Sequence, residues 1–91
     1  MFIRNEDKEK INLDDYKDPY VESLNGNKWH ICVDYKDQNQ MRIIAIFDSV
    51  EKANTALISL MQAKENSYNI GWDAIEYKDK LMNPLPTVVV P

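Results

Sequence analysis

The sequence is poor in the residue types from which most site chemistry is built. Its 91 residues include one cysteine, Cys32, and one histidine, His30. A single cysteine excludes an internal disulfide framework and a cysteine-based zinc site, and a single histidine excludes a two-histidine metal centre. The two glycines, Gly26 and Gly71, stand isolated, so there is no glycine-rich loop to cradle a phosphate. No apolar run approaches the ~18–20 residues of a membrane span. The longest, Ile43-Ile44-Ala45-Ile46-Phe47, is strand-sized and bounded by Arg42 and Asp48. Positive charge is also scarce: 11 Lys+Arg face 15 Asp+Glu, for a net charge of −4. That balance argues against a protein holding nucleic-acid phosphates by bulk positive charge. The opening Met-Phe-Ile-Arg-Asn turns acidic at once and does not read as a signal peptide. The lone thiol fits a reducing compartment, and a cytoplasmic location is expected. Neither membrane nor direct nucleic-acid contact is expected, and no cofactor or metal.

What remains is an ordinary globular composition, 44% apolar and 29% charged. A chain of this size has room for one core, burying roughly 10,000 Å² on folding by surface scaling. Phe2-Ile3-Arg4 and Ile11-Asn12-Leu13 are short apolar pieces joined by the polar Asn5–Lys10, a connector expected at the surface of a small antiparallel hairpin. Tyr20–Leu24 and Lys28–Tyr35 flank Asn25-Gly26-Asn27, the strongest turn signal in the chain. Within the second arm Trp29, Ile31, Val33 and Tyr35 share one face, and His30, Cys32 and Asp34 the other. Two registers are open here: one sets Glu22 opposite Trp29, the other Val21 opposite Ile31. Met41–Phe47 is apolar on both alternating sets and is expected to be the spine of the sheet.

Two capping boxes follow. Asp48-Ser49-Val50-Glu51, with the Asp48 carboxylate on the first amides, opens a helix whose stripe is Val50, Ala53, Leu57, Leu60, Met61 and Lys64, widened by Ile58. Asp73-Ala74-Ile75-Glu76 opens a shorter helix ending at Asn83-Pro84. A strand over 70–77, from the alternation of Ile70, Trp72 and Ala74, competes with it. The expected fold is α+β: an antiparallel meander of four to five strands, a long amphipathic helix over about 48–65 on one face, and a short C-terminal helix. Residues 1–82 form the single domain and 83–91 a proline-punctuated extended tail.

Three stretches fall in order along the first two-thirds of the chain. They are Met1-Phe2-Ile3-Arg4-Asn5, Ile11-Asn12-Leu13-Asp14 and Phe47-Asp48-Ser49-Val50-Glu51-Lys52-Ala53. The pattern resembles a loose group of short uncharacterised proteins of low-GC Gram-positive bacteria and their phages. The resemblance implies a small strand meander followed by a helix, and an origin in a mobile element. It transfers no function and no functional residue.

Candidate chemistry is thin. Cys32 and His30 share a strand face, but i,i+2 side chains run parallel from Cα atoms ~6–7 Å apart, which argues against a catalytic pair. Asp14, Asp15 and Asp18 lack the glycine and the spacing of a calcium loop. Trp29, Tyr35, Tyr20 and Phe47 invite comparison with a base-stacking platform, but acidic neighbours offset Lys28, Lys36 and Arg42, and core packing is the simpler reading.

Charge distribution carries more. Residues 5–22 hold seven acidic residues against three lysines, which accounts for the whole net charge, while the remainder balances at eight against eight. This acidic pole can dock a basic groove. At the other end the uncharged tail presents Val88-Val89-Val90, β-prone and able to add to a sheet edge. The expected function is therefore a non-enzymatic protein–protein interaction module, self-associating, with partner-binding residues Asp14, Asp15, Asp18, Glu22, Leu85, Val88, Val89 and Val90. An acidic inhibitor occupying a nucleic-acid-binding groove of a host protein is the alternative, and a small enzyme using His30 the remote one.

Overall fold

The computed structural model describes residues 1–66 and 71–82. β1 (Phe2–Arg4) and β2 (Lys10–Asn12) form the expected hairpin, paired antiparallel with Ile3 opposite Ile11. The connector is not wholly at the surface, because Asn5 is only 2% exposed. Its Oδ1 accepts from the amides of Asp7 and Glu9, satisfying donors that the tight loop would strand.

β3 (Tyr20–Asn25), β4 (Lys28–Asp34) and β5 (Met41–Phe47) form an antiparallel sheet in that order. The turn at Gly26, with φ of +52°, fixes the register with Val21 opposite Ile31 and Glu22 opposite His30. β4, not Met41–Phe47, is the spine. It is the middle strand, and its residues 30–33 are buried on both faces. β5 is the outer strand of this sheet, and its free edge is covered in part by the first hairpin. The Glu6 amide donates to the Ile44 carbonyl and Asn5 Nδ2 to that of Ile43.

The architecture is α+β with two helices, but the strands do not form one meander. Among the described residues the strands form two three-stranded sheets, the second ordered β2-β1-β6. The break lies at Leu13–Asp15, a 3₁₀ turn capped by Asn12 Oδ1 on the Asp14 amide. That turn leads the chain away from β2 before β3 begins, so the two cannot pair. Both readings of the second capped segment are partly met. Trp72–Asp73 is a strand, β6, parallel to β1, and Ala74–Met82 is a helix, α2, capped by Asp73 Oδ1 on the amides of Ile75 and Glu76. Gly71 permits the strand pairing, since a Cβ there would lie 3.1 Å from the Phe2 carbonyl oxygen.

α1 (Val50–Glu65) lies across the β3-β4-β5 sheet. Its N-cap is Ser49, whose Oγ accepts from the Lys52 amide; Asp48 pairs with the Lys52 ammonium instead. Buried Ala53, Ala56 and Leu60 bring the helix onto Ile31, Val33, Ala45 and Phe47, the small alanines allowing close approach. Ile58 does not widen this stripe, being 58% exposed. Ile3, Ile11, Leu13, Trp72 and Ala74 join the same cluster, so the two sheets share one core.

Candidate functional site

The faces of β4 differ in kind. Ile31 and Val33, with half-buried Trp29, meet the core under α1. On the opposite face stand His30 and Cys32, joined across the β3 pairing by Glu22 and Tyr20. His30 and Cys32 are 2% and 0% exposed, although neither belongs to the apolar cluster. His30 Nε2 lies 4.0 Å from Glu22 Oε2, and one donor atom each from Glu22, His30 and Cys32 fall within 4.8 Å of one another. Among the described residues neither ring nitrogen of His30 has a hydrogen-bond partner. Such an orphan ordinarily costs about 1–3 kcal/mol.

Next to this trio the Tyr20 hydroxyl donates to Asp34 Oδ1 at 2.9 Å, and burial pushes the Tyr20 phenol up to about 12. Burial pushes the Cys32 thiol up to about 12 as well, with the Glu22 and Asp34 carboxylates adding to it. At neutral pH the thiolate fraction is then on the order of 10⁻⁵, far too small for a nucleophile.

The acidic segment looks different folded. Cations from distant parts of the chain meet it: Lys78 pairs with Glu6, Arg42 with Glu9 and Lys64 with Asp18, while the terminal ammonium of Met1 meets Asp14. The Lys64 hydrogen bond at 2.8 Å holds the Asp18 carboxyl below its ordinary range. Of the partner-binding residues named from sequence, Asp14 and Asp18 are thus exposed but paired, Asp15 is exposed, and Glu22 belongs to the β3–β4 trio. Leu85, Val88, Val89 and Val90, with the whole 83–91 tail, lie outside the described residues.

Several of the described aromatic residues are engaged in packing. Tyr16 and Tyr35 have ring centroids 4.4 Å apart, with Arg42 donating to the Tyr35 hydroxyl. Phe47 meets Tyr77 edge-on at 6.5 Å, and Tyr77 in turn packs on Trp72. Of the four rings considered for a stacking platform, Tyr35 and Phe47 are thus committed to contacts within the fold.

Apart from the trio, a concavity of about 440 Å³ opens where the end of β5 meets the start of α1 and the second half of α2. Ile46, Phe47 and Leu81 supply its apolar lining, and Lys28, Lys52 and Lys78 stand around it with one acidic residue, Asp48. Lys78 lies over the Phe47 ring, 5.0 Å from its centroid. Sequence reading passed over this cleft because its lysines come from three elements separated by up to 50 positions. Glu22 as a neighbour of His30 was equally out of reach until the turn register was known.

Comparison with protein-family models, with curated proteins and with solved structures finds no match. Among the described residues, no helix is long and apolar enough to cross a membrane.

Proposed function

We propose that this chain is a non-enzymatic protein-binding module that self-associates, encoded by a phage or related element as the sequence resemblance implies. The observation that carries the reading is the cleft at the β5–α1–α2 junction. It combines an apolar lining with three ammonium groups, of which Lys52 and Lys78 already meet Asp48 and Glu6 while Lys28 has no ion-pair partner among the described residues, and so suits a mainly apolar protein segment carrying an acidic side chain. Leu81, at its rim, is 45% exposed, and Phe2 and Met41 are exposed large apolar residues elsewhere. These sites give a second copy of the chain apolar surface to bury on contact. The depressed thiolate population of Cys32 supports the non-enzymatic part of the reading. The acidic-inhibitor alternative draws less support, since long-range cations meet four of the seven carboxylates that suggested it.

Sedimentation equilibrium over a concentration series tests the reading. The full chain is expected to show a reversible dimer that Leu81→Asp shifts at least tenfold toward monomer. Lys28→Glu with Lys52→Glu should weaken it further, most at low salt. A wild-type chain that stays monomeric at every concentration, or a dimer indifferent to all three substitutions, would contradict it.

A further inference from the structure

Three residue types converge on the face of β4 turned away from α1. His30 and Cys32 are successive residues of one strand face, and Glu22 stands directly opposite His30 on β3. Their donor atoms, an imidazole nitrogen, a thiol sulfur and a carboxylate oxygen, already lie within 4.8 Å of one another. The imidazole is almost wholly buried, and neither of its nitrogens has a hydrogen-bond partner among the described residues. A histidine serving only as packing would ordinarily hold a carbonyl or hydroxyl on at least one nitrogen. This one has a carboxylate and a sulfur beside it instead. The Glu22 side chain is 54% exposed, so an ion can reach the trio from that side.

We propose that Glu22, His30 and Cys32 bind a divalent transition-metal ion, Zn²⁺, with the fourth coordination position left to water or an exogenous ligand. The donor set selects the ion. Nitrogen, sulfur and one carboxylate oxygen suit zinc, whereas calcium and magnesium require a shell of oxygens. Charge agrees as well, because a thiolate and a carboxylate together cancel the two positive charges and leave the imidazole neutral, so the buried site carries no net charge. Metal–ligand lengths of about 2.0–2.3 Å in a tetrahedron place neighbouring donors about 3.5 Å apart, so no pair within the 4.8 Å of the trio closes by more than about 1.3 Å. Rotation of the exposed Glu22 side chain supplies much of that movement. Binding replaces the S–H bond of Cys32 with an S–Zn bond and releases one proton to solvent, with no change of oxidation state. The inference stands apart from the cleft and from self-association.

The test uses the full chain stripped of metal with a chelator and titrated with Co²⁺, then with Zn²⁺. Expected are saturation at one equivalent, a sulfur-to-cobalt charge-transfer band, the visible bands of a tetrahedral ion, and their loss when Zn²⁺ displaces Co²⁺. Glu22→Gln changes an exposed side chain and should fold as the parent does, yet lower Zn²⁺ affinity tenfold or more. Cys32→Ser should abolish the charge-transfer band. No uptake, uptake without that band, unsaturable uptake, or parental affinity in Glu22→Gln would each overturn the proposal.

Discussion

The two faces of β4 share a backbone, a burial level and a pair of neighbouring strands, yet they are made from different materials. Under α1 the strand offers Ile31 and Val33 to alanines and leucine, and they contribute through apolar burial and close packing. On the other face His30 and Cys32 are equally buried without belonging to the apolar cluster, and the ring of His30 has no hydrogen-bond partner among the described residues. Burial alone therefore does not define a core residue. What separates the faces is whether the buried group has its physical requirements met by its neighbours.

The largest expected effect lies on the apolar face. Ile31→Ala should lower unfolding free energy by about 2–5 kcal/mol in urea titrations, through lost transfer energy and the cavity left behind. A loss below 1 kcal/mol would mean that α1 settles onto the sheet and that the apolar face is not close-packed.

An alkaline titration sharpens the contrast from the other side. Below pH 9, the ordinary value for a thiol here, Cys32 keeps its proton in both folded and unfolded chains. Above it the unfolded chain releases the proton while the folded thiol holds it to about 12, so the unfolded state binds fewer protons and stability falls as pH rises. Tyr20, pushed from 10.0 up to about 12 mainly by burial, steepens the fall above pH 10. Urea midpoints in metal-free buffer should accordingly decline from pH 9 upward, and Cys32→Ser should remove the first part of the decline. An identical profile in that variant would show that the thiol is not held in its protonated form.

The smallest effect is the most telling for the comparison. His30→Leu in metal-free buffer should cost less than about 1 kcal/mol or raise stability, since a ring whose orphaned nitrogens cost about 1–3 kcal/mol gives way to an apolar side chain of similar bulk. A loss as large as that of Ile31→Ala would make both faces ordinary core.

Much of the fold was legible where local chemistry decides it. Asn25-Gly26 marked the turn, alternation marked both faces of β4, and Asp73 read correctly as a helix cap. Ser49 caps α1 in place of Asp48 because the neighbouring Lys52 ammonium draws the carboxylate away. The split into two sheets was not legible. It depends on a 3₁₀ turn of three residues and on a two-residue strand that gains its place only by pairing with β1, some 70 positions earlier. The ion pairing of the acidic pole was not legible for a related reason: a sum along the chain cannot register cations that arrive by folding. The trio was hidden because counting one cysteine and one histidine leaves out a carboxylate brought in by strand register.

The most direct measurement follows the melting temperature of the full chain and of Glu22→Gln with and without Zn²⁺ in modest excess. Binding to the folded state alone raises the melting temperature of the parent, and the account predicts that Glu22→Gln loses most of that rise while its metal-free melting temperature matches the parent's. Equal rises in both proteins, or none in either, would contradict it.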